Sequence, residues 1–183
     1  MARTGTAAFP PGDYVALGVD EWGERPFALR RDGTLVALDL SATGTAAEEV
    51  RTMPADTPVS ALAYSPRRQE IVAGTADGRF AFVKVSCEPD FQPEGRRIKL
   101  SVSPAAFVSI GATGAPIRAI QAGGSDGEKL VAVLQDTARG LECHAVALTQ
   151  KRSLTGVGKW TPGRPFDLTP LLQGRPRQLL VNS

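Results

Sequence analysis

Apolar and polar positions along the chain fall into short runs broken by turn residues. Between Val59 and Ser103 four such runs follow one another: Val59–Ser65, Glu70–Ala76, Arg79–Val85 and Arg97–Ser103. Each is rich in β-branched and aromatic residues and too short for a typical helix, so each predicts a strand. In the third run Phe80 and Phe82 alternate with Ala81, Val83 and Val85. Apolar residues on both sides of one strand predict a sheet buried on both faces, as in a stack of sheets. Asp77-Gly78 lies between the second and third runs. An Asp-Gly pair there predicts a hairpin with a two-residue primed turn, because Gly takes positive φ freely and Asp tolerates it.

The pattern repeats. Val15–Ser41 aligns with Ser60–Ser86 without a gap, at an offset of 45 residues, and Ala16, Leu17, Ala28, Asp32, Gly33 and Ser41 recur as identities. About two identities are expected by chance at ordinary composition. Asp32-Gly33 then marks the matching hairpin of the first unit. A looser third unit follows, with strands at Ile117–Ala122, Lys129–Asp136 and Leu141–Thr149 and a hairpin lengthened by Thr137–Gly140. Lys151–Gly158 reads as its fourth strand. Phe166–Leu172 and Arg177–Ser183 read as the first two strands of a further unit.

Four-stranded antiparallel units of this period predict an all-β chain built as a partial or open β-propeller of about three and a half blades. The corresponding division is a flexible N-terminal segment 1–12, blades at 13–58, 59–104 and 105–160, and an incomplete blade at 161–183. A β-sandwich or irregular β-domain with fortuitous internal similarity is the rival architecture. An incomplete last unit predicts open sheet edges, and therefore an open arc or self-association with another copy.

Composition agrees with a turn-rich β-fold: 183 residues, Gly 19 and Pro 14, with 42% hydrophobic and 22% charged residues. A net charge of +2, with two Trp and two Tyr, argues against nucleic acid as a partner. The longest uncharged stretch, Leu100–Ile117, carries too many Ser, Gly and Pro residues to span a membrane, and Met1–Gly12 lacks the apolar core of a secretory signal.

Candidate chemistry is thin. Gly123-Gly-Ser-Asp-Gly127 has the spacing of a nucleophile elbow, but lies in a polar stretch between two strands and reads as a turn. Leu154–Lys159 approaches a phosphate loop, yet Ser153 stands where the pattern needs Gly, and Trp160 where it needs Ser or Thr. Cys143 and His144 are adjacent, so a strand would point them to opposite faces. A Cys87–Cys143 disulfide is left open. The acidic pairs Asp20-Glu21 and Glu48-Glu49 lack the spacing of a calcium loop. The doublets Arg30-Arg31, Arg67-Arg68, Arg96-Arg97 and Lys151-Arg152 read as solvated strand ends. The expectation is a non-catalytic protein with no catalytic, metal or cofactor residues. An enzyme with a site in a propeller channel is the weakest alternative.

Two resemblances sharpen this. Val59-Ser-Ala-Leu-Ala-Tyr-Ser-Pro, Ile71-Val-Ala-Gly-Thr and Asp77-Gly resemble a WD-type (WD40-like) repeat, although its Gly-His and Trp-Asp dipeptides are missing. The order Val15-Ala-Leu-Gly-Val-Asp-Glu-Trp, Arg31-Asp-Gly-Thr-Leu, Ala76-Asp-Gly-Arg-Phe-Ala-Phe-Val-Lys-Val and Pro165-Phe-Asp-Leu-Thr-Pro-Leu-Leu-Gln-Gly-Arg-Pro resembles the propeller-like insertion of long bacterial phosphate ABC transporter permeases (PstC type). That resemblance implies an accessory domain on the extracytoplasmic side of the bacterial inner membrane, with the remainder of a permease as partner. A stand-alone WD-like protein-interaction scaffold, which would be cytoplasmic, is the alternative.

Overall fold

Local hydrogen bonding sets the first hairpins. In the computed structural model, which describes residues 8–20, 25–39, 46–93, 95–110, 114–125, 127–153 and 156–172, β1 (Tyr14–Val19) turns into β2 (Pro26–Arg30). The chain continues through β3 (Thr34–Asp39) and β4 (Ala46–Arg51). These four form an antiparallel meander in the order β1-β2-β3-β4. At the β2–β3 turn Gly33 adopts φ +82° and donates its N–H to Arg30 O at 3.0 Å. The equivalent Gly78 has φ +79° and donates to Thr75 O at 3.2 Å. Both hairpins therefore occur where the Asp-Gly pairs predict them, but as three-residue loops in which Gly alone takes positive φ. Asp32 and Asp77 serve as acceptors instead: Asp32 Oδ1 receives the Thr34 N–H at 2.9 Å, and Asp77 Oδ2 the Arg79 Nε at 2.9 Å.

The second sheet comprises β5 (Val59–Ser65), β6 (Glu70–Thr75), β7 (Arg79–Gln92), β8 (Gly95–Val102) and β9 (Ala106–Ser109). The third comprises β10 (Ile117–Gly124), β11 (Glu128–Thr137), β12 (Gly140–Ser153), β13 (Gly156–Pro162) and β14 (Phe166–Asp167). Their paths are β5-β6-β7-β8, with β9 also on β7, and β10-β11-β12-β13, with β14 also on β12.

Both sheets share a device the pattern of residues did not predict. The third strand is long, and two successive segments share its outer edge. Val85 pairs with Val102 and Phe82 with Ala106; likewise Leu148 pairs with Pro162 and Ala145 with Phe166. Ser103 N donates to Lys84 O at 2.9 Å and Gly163 N to Ala147 O at 2.8 Å just before each break. Pro104 and Pro165, which have no N–H to give a ladder, follow.

This arrangement corrects two strand assignments and one hairpin. Lys151–Gly158 is not one strand; it straddles the β12–β13 hairpin. Phe166–Leu172 does not begin a further unit: Phe166 and Asp167 pair back onto β12, and Thr169–Leu171 forms a 3-10 turn. The third hairpin is shorter than expected, since Thr137 pairs with Gly140 around only Ala138 and Arg139. The expected strand Arg177–Ser183 lies outside the described residues.

Among the described residues three antiparallel sheets thus make an all-β fold, packed through two cores. Phe27, Leu29, Leu35 and Ala37 of the first sheet meet Ile71, Ala73, Ala81, Val83 and Val85 of the second. Val72, Phe80 and Phe82 of the second sheet meet Ile117, Ile120, Val131, Val133 and Val146 of the third. The alternation at the start of β7 is therefore used as predicted: Phe80 and Phe82 face one neighbour, and Ala81, Val83 and Val85 the other. Phe80 is fully buried and crosses the Phe82 ring edge-on at 5.7 Å. Burying one such side chain contributes about 1.5–3 kcal/mol.

Candidate functional site

The first strand of every sheet carries the same irregularity. Its register shifts between Tyr14 and Ala16 in β1, between Val59 and Ala61 in β5, and between Ile117 and Ala119 in β10. Val15, Ser60 and Arg118 are the residues bulged out of the three ladders. Bulges re-aim side chains and strengthen twist. Here all three bulged residues line one cavity of about 420 Å³, shared by β1, β5 and β10. The sequence repeat had already aligned Val15 with Ser60. Arg118 escaped that alignment because the third unit is spaced differently.

The cavity is small-walled and of mixed polarity. Ala16, Ala61, Ala63 and Ala119 leave the backbone open to approach, and Arg31, Ser60, Tyr64, Arg118 and Gln121 supply polar groups. Ser60 Oγ donates to Ile117 O at 2.8 Å, fastening β5 to β10. Each guanidinium already has a carboxylate: Arg31 Nε lies 2.6 Å from Asp13 Oδ2, and Arg118 Nε 3.0 Å from Asp136 Oδ2. The lining therefore has no unpaired cation with which to anchor an anion. Tyr64 packs edge-on against Phe27 at 5.3 Å, and its buried hydroxyl has no hydrogen-bond partner among the described residues. Burial, helped by the nearby Cys87, pushes its phenol up to about 12.

The residues singled out from the sequence fall elsewhere. In Gly123–Gly127 the Ser125 N–H donates to Glu128 O at 2.6 Å, and its Oγ accepts the Glu128 N–H at 3.2 Å, which makes the segment the β10–β11 turn. Asp126 of that motif lies outside the described residues. Gly158 and Lys159 sit within β13, so they do not open a helix as a phosphate loop would; Leu154 and Thr155 lie outside the described residues. Cys143 is opposite Leu134 and His144 opposite Val133, so their side chains do point to opposite faces. His144 Nε2 is 3.3 Å from Glu142 Oε2. Cys87 and Cys143 are both buried free thiols, Cys87 in the core between the first two sheets. Burial, with a smaller contribution from Asp167, raises the Cys143 thiol above its usual range. Arg30 bonds Glu49 at 2.8 Å, while Arg67 and Arg68 occupy a 3-10 turn. The side chains of Arg96, Arg97, Lys151 and Arg152, and Glu21 as a whole, lie outside the described residues. Among the described residues no group of three His, Cys, Asp or Glu side chains is placed to hold a metal ion, and no helix is long and apolar enough to cross a membrane.

One constellation was not foreseen. Lys129 is almost fully buried, pairs with Glu70 of the second sheet, and lies 4.8 Å from the Phe82 ring centre and 5.3 Å from that of Trp160. Its own segment reads only as a strand, so no sequence signal marked it.

No family model matches this chain, and no curated protein matches it.

Proposed function

We propose that the chain is a non-catalytic interaction domain of β-propeller type, WD-like in strand order, serving as the extramembrane accessory part of a phosphate-type ABC transporter permease. The observation carrying the propeller reading is the threefold recurrence of a meander whose innermost strand bulges at the same place toward a shared cavity. Blades of a propeller have this order, with first strands around a central channel. Function would then reside in loops held on a rigid β-scaffold, and the partner would be protein. The permease assignment is supported by the resemblance carried by Val15–Trp22, Arg31–Leu35, Ala76–Val85 and Pro165–Pro176.

Sequencing the genomic flanks of this reading frame tests the assignment. The expected result is an apolar run of about 18 residues or more on each side. Further blade-like repeats without such runs would overturn the permease reading in favour of a stand-alone interaction scaffold.

A further inference from the structure

Strand edges, not strand faces, bound the shared cavity. Ser60–Tyr64 line it without a gap, and so do Arg118–Gln121. A face shows only alternate residues of a strand, so an unbroken run marks an edge. β1, β5 and β10 each stand at one end of the strand order of their sheet. Their inner edges therefore have no ladder partner among the described residues, although every residue there except proline carries a backbone donor and an acceptor. At one point a side chain meets this need: Ser60 Oγ donates to Ile117 O at 2.8 Å and ties β5 to β10. Val15 holds the corresponding bulge of β1 and has no hydroxyl, so β1 lacks the same tie to β5.

Charge and size narrow what completes these edges. Arg31 and Arg118 already have carboxylates, at 2.6 and 3.0 Å, and no acidic side chain lines the cavity. Neither an anion nor a cation finds an uncompensated partner there. Ala16, Ala61, Ala63 and Ala119 keep side chains out of the path of an approaching backbone. A volume of about 420 Å³ lies near the small end of ligand sites and holds only a short chain of small residues. We propose that the cavity takes an extended, uncharged segment of a partner protein, with small side chains, added as a strand to the inner edge of β5 on the side facing β1. Strand addition draws its affinity from main-chain hydrogen bonds, and an unladdered edge is its template. An extended chain presents its N–H and C=O groups at every second residue along each side, as an edge strand does. A sugar or other polyol has no such repeat. The site stands on this strand geometry and does not depend on the permease assignment.

Amide chemical shifts of the isotope-labelled protein test this during titration with a short capped peptide of alternating alanine and valine. The expected result is saturable shifts centred on Ser60–Tyr64, with smaller ones at Val15, Ala16 and Arg118–Gln121, and a dissociation constant of about 1 mM or below. The same peptide methylated at every amide nitrogen keeps its side chains but loses its donors, and is expected to bind about tenfold more weakly or worse. Gln121→Trp, which fills the cavity from β10, should abolish the shifts while keeping the thermal transition; Ala119→Leu replaces it should that transition be lost. The absence of saturable shifts at several times that peptide concentration overturns the proposal. So does equal binding of the methylated peptide, which means that main-chain pairing is not used. Shifts confined to β4 or β13 overturn it as well, since the peptide then adds to an outer edge. Tighter binding of maltose at the same residues overturns it in favour of a polyol site, and wild-type binding by the filled variant removes the cavity from the account.

Discussion

Lys129 on β11 and Glu70 on β6 form an ion pair between the second and third sheets, with the ammonium enclosed beside the Phe82 and Trp160 rings. Only 2% of the Lys129 side chain is exposed. Removing one partner leaves a buried charge uncompensated, which costs about 3–5 kcal/mol, whereas replacing both by apolar residues is near neutral. Urea denaturation of Glu70→Gln is expected to show a loss of that order. Glu70→Leu combined with Lys129→Met should recover most of it, a non-additivity that a double-mutant cycle reads directly.

Gly74 is where the second sheet leaves room for the third. A Cβ there would meet Ile117 Cγ2 at 2.5 Å. Gly74→Ala is therefore expected to destabilise the fold by about 1–3 kcal/mol through overpacking. Gly127→Ala, which would place its methyl in open space, is the control and should unfold close to the wild-type denaturant midpoint.

Acid stability should depend on Asp77. Hydrogen bonds from Arg79 and then Thr75 hold its carboxyl down to about 2, against an ordinary 3.8. A depressed folded-state value stabilises the protein above the unfolded value, and that stability is lost as pH falls from about 3.8 through about 2. Asp77→Asn should flatten the acid limb of a stability–pH curve in this window; a limb unchanged from wild type would count against the assignment.

At the alkaline end the sign reverses. With its phenol raised from 10.0 to about 12, Tyr64 favours the folded state below pH 10.0 and loses that contribution as pH climbs toward about 12. Tyrosinate absorbance should show one late-titrating tyrosine that becomes ordinary on unfolding. Tyr64→Phe removes a buried hydroxyl lacking a partner among the described residues. It should cost under about 1 kcal/mol and abolish the late titration.

Much of this fold is legible in the residues themselves. Strand identity follows from side-chain alternation and β-branched content, and hairpin position from Asp-Gly, because both are governed by a few neighbouring residues. Hence β5 and β6 fall where their runs place them, and the faces of Phe80 and Val83 were readable from parity alone. Turn type was less so: Gly33 and Gly78 fix a positive φ, but loop length depends on how the flanking strands register. The candidate site is less legible still. Ser60 is an unremarked serine in sequence, and it becomes part of a cavity wall only because three bulges, separated by 45 and then 58 residues, point to one place.

What the sequence determined alone is therefore local and periodic: an all-β chain, repeated meanders, and a middle sheet apolar on both faces. Tertiary structure decided what depends on hydrogen bonds between distant segments. It extended β7 and β12, assigned β9 and β14 to the outer edges of sheets already begun, and enclosed Lys129 against Glu70. A backbone edge accepts any strand that presents matching N–H and C=O groups, so side-chain pattern specifies that a segment is a strand without specifying its partner. Only the packing of the three sheets selects one pairing, and with it the shared cavity.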